Sequence, residues 1–194
     1  VGKTELARKY VQEYKQHYDG NVVWINAESF NAMMNSFRRL ARDWLGISTT
    51  DKDGQEIDTQ LIVQQVYDFF KKKKLNSLFV FDNAEKYKSE EQCDAGIEQF
   101  LKSSHFPNRP TVLITSRNRE MADYANKLEL NVFTSDEAKD FIRTTLDFQK
   151  DLNHKHEIEK LATELQCLPL ALQQAVAYIK KSDEQSRKRK NVSF

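Results

Sequence analysis

The chain opens with three residues whose types and order suit phosphate binding: Gly2, Lys3 and Thr4. They match the second half of the pattern Gly-x-x-x-x-Gly-Lys-Ser/Thr. In that loop backbone amides surround phosphate oxygens, the lysine reaches the β and γ oxygens, and the hydroxyl ligates Mg²⁺. The following residues have helical apolar spacing, and a helix N-terminus favours an anion. The triplet alone is common by chance, so it predicts a phosphate site only together with other features.

A second candidate is Asp82, which directly follows the apolar run at residues 78–81. An unbroken apolar run is typical of a strand covered on both faces of a parallel sheet. In NTPases with a phosphate loop, an aspartate at the end of such a strand holds Mg²⁺. A buried strand ending in a turn aspartate is also common, so this assignment depends on the phosphate loop in the same chain.

Two further positions complete the candidate set. Arg117 follows the apolar run at 111–115. An arginine at the carboxyl edge of a parallel sheet faces the crevice where ligands bind and can sense a γ-phosphate. Pro169 stands where a helix can begin, because its missing donor costs nothing at the first helical position. A proline at a helix start needs no function by itself.

Alternating helix and strand patterns are predicted to position these residues. A helix is expected directly after Gly2, a strand at 22–26, and a helix from Phe30 to Leu45 with Trp44 on its apolar face. After a polar loop, a helix ending in lysines precedes the strand at 78–81, and a helix at 89–103 precedes the strand at 111–115. The remaining patterns predict a weaker strand at 127–133 and helices at 135–147, 154–166 and 169–181.

Composition narrows the class of protein. The 194 residues are 39% hydrophobic with a net charge of +1, which excludes a chain that is disordered or strongly charged throughout. Five glycines and three prolines are too few for a sandwich or barrel with frequent tight turns. No apolar run reaches the length of about 18 residues expected of a membrane span, so a cytoplasmic protein without membrane contact is expected.

The order of the motifs resembles the NB-ARC family of signal-transduction (STAND) ATPases, especially its tetratricopeptide-repeat branch. The matching segments are GKTELA at 2–7, VWINAES at 23–29, DNA at 82–84, ITSR at 114–117 and LPLA at 168–171. The resemblance implies a phosphate-loop α/β domain with a parallel sheet at 1–134 and a small helical domain at 135–181. Residues 182–194 are interpreted as a basic tail or linker.

The resemblance also implies a function: an ATP/ADP switch in which ADP holds a closed monomer, ATP permits opening and self-oligomerisation, and hydrolysis resets the closed state. Nucleotide contacts are implied for Gly2, Lys3, Thr4, Glu5, Arg117 and Pro169. Metal binding is implied for Thr4 and Asp82, and catalysis for Lys3, Asp82 and Arg117. Repeat or effector domains outside the chain are the implied intramolecular partners.

Two departures from the family pattern lead to further expectations. The first glycine of the loop and the strand before it would precede Val1, so the chain is interpreted as a fragment truncated at both ends. Alone it is expected to be unstable, to bind nucleotide poorly and to lack ATPase activity. Asn83 stands where many members carry a second acid; an amide cannot accept a proton, and general-base help contributes about 10²- to 10⁴-fold. Slow hydrolysis is expected unless Glu85 substitutes.

Two alternatives remain open at this stage. Residues 180–194 contain six basic and two acidic side chains, which would suit a nucleic-acid-associated ATPase of the AAA+ kind. Without aromatic interleaving or a second basic segment, a solvated tail is favoured and nucleic acid is not the expected partner. Asn83 supports the other alternative, an interaction module that binds nucleotide without turnover.

Overall fold

The structure is a computed structural model that describes residues 2–86, 88, 96–101, 110–119, 121, 125–147 and 154–191. Its strands are β1 (Val22–Asn26), β2 (Leu78–Ala84) and β3 (Thr111–Ser116). Its α-helices are α1 (Lys3–Tyr14), α2 (Phe30–Arg39), α3 (Thr59–Lys72), α4 (Ser135–Leu146), α5 (Lys155–Glu164) and α6 (Pro169–Asn191). This alternation confirms the predicted α/β class.

The three strands form one parallel sheet in the order β1, β2, β3. Parallel neighbours need long crossover connections, and α2 and α3 lie in the connection between β1 and β2. The carboxyl ends of all three strands therefore meet at one edge of the sheet. That edge is where open α/β sheets bind their ligands.

One face of the sheet packs against α2 and α3, with Phe37 at the centre of an aromatic core. The Phe37 ring centroid lies 5.5–6.5 Å from the centroids of Tyr67, Phe79, Phe81 and Phe100. Phe37 itself is fully buried. These contacts hold β2, which ends at the candidate site, against two helices.

The opposite face of the sheet is covered by α1. Ala7 is buried in a cluster with Leu78 and Val80 of β2. The hydroxyls of Tyr10 and Tyr18 share a hydrogen bond of 2.8 Å. Burial and this hydrogen bond raise the pKa of Tyr18 to about 12, so its hydroxyl stays neutral at physiological pH. These contacts fix the helix whose first turn carries Lys3 and Thr4.

The chain divides into two compact units, one spanning Lys3–Lys127 and the other comprising Leu128–Phe194 together with Val1–Gly2. In the second unit, α4, α5 and α6 pack around the buried side chains of Ala138, Ile142, Ile158, Ala162 and Leu172. The Thr134 side chain caps α4, and the hydrogen bonds that the Thr134 backbone amide and, to a smaller extent, its hydroxyl donate to the Glu137 carboxylate lower the pKa of that carboxyl. The domain bounds expected from the sequence, 1–134, 135–181 and 182–194, remain predictions.

Several predicted element bounds are confirmed. The strand at 22–26 is β1, the first helix begins at Lys3, and Pro169 opens α6. That last helix runs beyond the predicted residue 181 to Asn191, because the segment consists mainly of Lys, Arg, Gln, Glu and Ser, most of which favour helix. Most of the predicted helix at 89–103 lies outside the described residues, and the described part contains a 3₁₀ turn at Ile97–Phe100.

Two predictions are wrong. Residues 127–133 form no strand; the Phe133 amide donates to the Cys167 carbonyl, in the turn after α5, instead of to a strand partner.

Trp44 does not face the core and is 82% exposed. Residues Leu40–Trp44 form a π-helical turn, in which the Leu45 amide donates to Leu40. The wider turn rotates the following side chains relative to α-helical spacing, so Ala41 is buried and Trp44 is not.

The turn between α5 and α6 supports a stability prediction. Gln166 is exposed and has a left-handed φ of +51°, which costs a non-glycine residue about 1–2 kcal/mol. Glycine loses about 0.5–1 kcal/mol more entropy on folding. Gln166→Gly is therefore expected to raise the free energy of unfolding by up to ~1 kcal/mol in a urea titration.

Gln173→Gly is the matched control for Gln166→Gly. Gln173 is exposed inside α6, so the same chemical change should lower the free energy of unfolding by about 1 kcal/mol. Equal destabilisation by the two variants would contradict the assignment of backbone strain to Gln166.

Among the helices that the structure describes, none combines the length and apolar character needed to span a bilayer.

Candidate functional site

The first turn of α1 meets the end of β2 through a direct contact between side chains. The Thr4 hydroxyl donates to Oδ1 of Asp82 at 2.8 Å, although 78 residues separate them. The two predicted metal-site residues therefore lie together at the carboxyl edge of the sheet. Because α1 packs on β2 and begins at this edge, the meeting follows from the parallel topology.

A β-bulge shapes the end of β2. Phe81 pairs with Ile114 and Ala84 pairs with Ser116, so Asp82 and Asn83 together lie opposite a single residue of β3. Asn83 adopts a left-handed φ of +63°, which asparagine tolerates better than most residues. Bulges of this kind turn a side chain away from the regular pleat, and here the affected residue is the metal-site candidate Asp82.

The residue opposite the bulge is Thr115, which is 6% exposed. Its hydroxyl accepts the Asn83 amide at 2.8 Å and donates to Oδ1 of Asp82 at 2.5 Å. Oδ1 therefore receives hydrogen bonds from both Thr4 and Thr115. Among the described residues, no donor contacts the second carboxylate oxygen, Oδ2.

The remaining loop residues surround the start of α1. Gly2 precedes the helix with φ of +95°, a conformation that side chains disfavour, although a Cβ there would meet no atom within 4 Å. Lys3 is half-buried in the first turn. Glu5 forms a 2.5 Å ion pair with Arg8 on the exposed side of α1, so its side chain lies on the helix surface. A nucleotide contact by Glu5 stays a prediction.

Arg117 lines a cavity of about 280 Å³ beside the bulge, together with Asn83, Ala84, Glu85 and Asn118. The Asn118 side-chain amide donates to the Glu85 carbonyl at 3.0 Å. The Asn118 backbone amide donates to the Ser116 hydroxyl at 2.9 Å. These bonds join the segments that follow β2 and β3, and they place Arg117 and Asn83 on one cavity.

The side chains that meet here fit Mg²⁺. The ion prefers oxygen ligands and is commonly held by one or two carboxylates plus substrate phosphates rather than by an all-protein cage. Thr4 and Asp82 supply a hydroxyl and a carboxylate. Among the described residues, no group of three or more His, Cys, Asp or Glu side chains could hold a metal without further ligands. Pro169 begins α6 in the second unit, and its contact with nucleotide stays a prediction.

The sequence analysis named Thr115 as the last residue of a predicted strand and as part of the ITSR segment, and assigned it no role at the site. A polar residue at the end of an otherwise apolar run was the available signal, because strand ends share one edge of a parallel sheet. The hydrogen bonds of Thr115 depend on the bulge in the neighbouring strand. No pattern in residues 111–117 indicates that bulge.

Comparison with known proteins gives a family match. The profile of the NB-ARC domain matches residues 1–153. A nucleotide-binding leucine-rich repeat (NLR)-like protein of Hyaloscypha variabilis is 24% identical over 191 residues, and the match covers 92% of this chain and 19% of that protein. The chain therefore spans about a fifth of the length of this relative. No solved structure matches the chain.

Proposed function

The chain belongs to the NB-ARC domain family, and on that premise we propose that it is the nucleotide-binding part of a signalling switch with ATP and ADP as alternating ligands. The observation that carries this proposal is the 2.8 Å hydrogen bond between Thr4 and Asp82. It joins the end of a glycine-lysine-threonine loop to a carboxylate at the ligand-binding edge of a parallel sheet. The name of the NLR-like relative agrees with such a role.

Each residue at this edge has a distinct part in the proposal. The N-terminus of α1 and the Lys3 ammonium hold the β- and γ-phosphates, since a helix N-terminus and a cation both favour anions. Thr4 and Asp82 hold Mg²⁺, which when bound neutralises phosphate charge. Arg117, which lines the neighbouring cavity, reports whether a γ-phosphate is present.

Hydrolysis in this proposal is slow. Asn83 lines the cavity beside the metal-site residues, and its amide cannot take a proton from an attacking water. The ATP-bound state therefore persists, which suits a timed signal. Consistent with the family resemblance, we further propose that the protein belongs to the tetratricopeptide-repeat branch of the family and acts in the cytoplasm. In this proposal it self-associates in the ATP-bound state, and its partner domains lie outside this chain.

Light scattering of the native protein that contains this chain tests the switch. Only ATP brings a γ-phosphate to Arg117, and a ligand shifts an equilibrium only through differential contacts with its two states. We expect one chain per particle in ADP, and larger particles in ATP with Mg²⁺ or in a non-hydrolysable analogue. Arg117→Ala should remain at one chain per particle in ATP while still binding ATP.

Arg119→Ala is the matched control for Arg117→Ala, because Arg119 is also exposed in this segment but does not line the cavity. It should assemble in ATP like the parent. The switch proposal fails if the parent has the same mass in ADP and ATP.

A second candidate function is a module that binds nucleotide and never hydrolyses it. The left-handed asparagine beside Asp82 favours this candidate, because no second acid occupies the bulge. Tight ATP binding with no phosphate release over many hours would select it, whereas slow release would select the switch.

A further inference from the structure

Thr115 is the one buried polar side chain of β3, and the proposed roles of the site do not use it. It lies opposite the two-residue bulge at Asp82 and Asn83, where the regular ladder between β2 and β3 is interrupted. Its hydroxyl replaces the missing ladder contact by accepting the Asn83 amide at 2.8 Å. The same hydroxyl donates to Oδ1 of Asp82 at 2.5 Å.

A hydroxyl has one hydrogen, so these two bonds fix its direction. Because the Asn83 backbone amide can only donate, the Thr115 hydroxyl accepts from it and therefore donates its one hydrogen to the Asp82 carboxylate. That carboxylate oxygen also accepts from Thr4. Two threonines, one on α1 and one on β3, therefore fix Oδ1 from two elements and orient Oδ2 by the geometry of the carboxyl group.

We propose that Thr115 is a positioning residue that aims the Asp82 carboxylate at Mg²⁺ by closing the bulge. This inference rests on the proposed nucleotide-binding function and adds a residue to it. It predicts a specific split: Thr115 supports Mg²⁺-dependent binding of nucleotide, and it contributes little to binding without the metal, which depends on Lys3 and the α1 N-terminus.

The test is a Mg²⁺ titration of ADP binding in the native protein that contains this chain, for the parent, Thr115→Val and Thr115→Ser. Valine keeps the shape but leaves the half-buried Asn83 amide without its acceptor and Asp82 without one donor. We expect the Mg²⁺ midpoint to rise about tenfold in Thr115→Val and less than twofold in Thr115→Ser. ADP affinity measured with a chelator should change less than twofold in both.

Two controls keep the test interpretable. Thr50→Val makes the same change at an exposed loop position of the same unit and should leave the Mg²⁺ midpoint unchanged. Thr115→Cys supplies a weaker donor and acceptor, so its midpoint should fall between those of serine and valine. If the valine variant does not fold, the serine and cysteine variants still decide the question.

The positioning role is overturned if the Mg²⁺ midpoints of Thr115→Val and Thr115→Cys match that of the parent, or if the midpoint of Thr115→Ser shifts as far as that of Thr115→Cys. It is also overturned if ADP affinity measured with a chelator falls by the same factor as the Mg²⁺ midpoint rises. It is also overturned, with the proposed function intact, if the parent binds ADP without any dependence on Mg²⁺. A parent that binds no nucleotide at all overturns the proposed function and this inference together.

Discussion

Replacing Lys3 by alanine is expected to weaken ATP binding by at least about 10²-fold. Lys3 lies half-buried in the first turn of α1, one residue before the threonine that contacts Asp82. Hydrogen bonds to charged groups contribute about 1.5–3 kcal/mol each. An ammonium that reaches both the β- and γ-phosphates makes at least two, and each 1.4 kcal/mol corresponds to a factor of ten in affinity. Isothermal titration calorimetry of the native protein that contains this chain, in the presence of Mg²⁺, measures the change.

Lys9→Ala is the matched control, because it removes the same charge from the same helix. Lys9 pairs with Glu13 at 3.2 Å on the exposed side of α1, with 64% of its side chain accessible. ATP affinity should change less than twofold in this variant, since an exposed charge is screened by solvent and salt. If Lys3→Ala binds ATP as well as Lys9→Ala does, the phosphate-loop assignment is wrong.

The second large effect is expected from Asn83→Asp, which should accelerate ATP hydrolysis by about 10²-fold. An aspartate supplies the proton acceptor that the amide lacks, and general-base help contributes about 10²- to 10⁴-fold. Asn83 has φ of +63°, a conformation that aspartate also tolerates, so the bulge can persist. Phosphate release at saturating ATP is the measurement.

Asn26→Asp separates general-base help from a simple change in charge. Asn26 pairs with Asp82 in the register of β1 and β2 but does not line the cavity. It should leave the hydrolysis rate within about twofold of the parent. If Asn83→Asp is no faster than the parent, the amide does not limit turnover, and Glu85, which lines the same cavity, becomes the residue to replace.

Local sequence patterns predicted much of this fold because several elements depend mainly on their own residues. The strand at 22–26 is a run of β-branched and aromatic residues, and the helix that starts at Pro169 has a proline at its first position. The expectation that Thr4 and Asp82 share a metal site came instead from the phosphate-loop motif and the family resemblance, and the hydrogen bond between them is consistent with it.

The failures lie where hydrogen bonding departs from the regular pattern that local periodicity assumes. Trp44 is turned outward by a π-helical turn, and the Phe133 amide donates to the Cys167 carbonyl instead of to a strand partner. The role inferred for Thr115 depends on a bulge in β2, which no single segment encodes. The π-helical turn is a local departure from α-helical spacing, whereas the other two cases involve pairing between segments distant in sequence; local periodicity indicates none of the three.

The most direct test of the central claim is the nucleotide content of the purified native protein that contains this chain. The protein is denatured, any released nucleotide is identified and quantified by chromatography, and Lys3→Ala is treated identically. We expect about one ADP per chain in the parent and almost none in Lys3→Ala, because in the proposed site the lysine holds the phosphates. Absence of nucleotide from both proteins, together with no binding of added ATP, would mean that the protein is not a nucleotide-held switch.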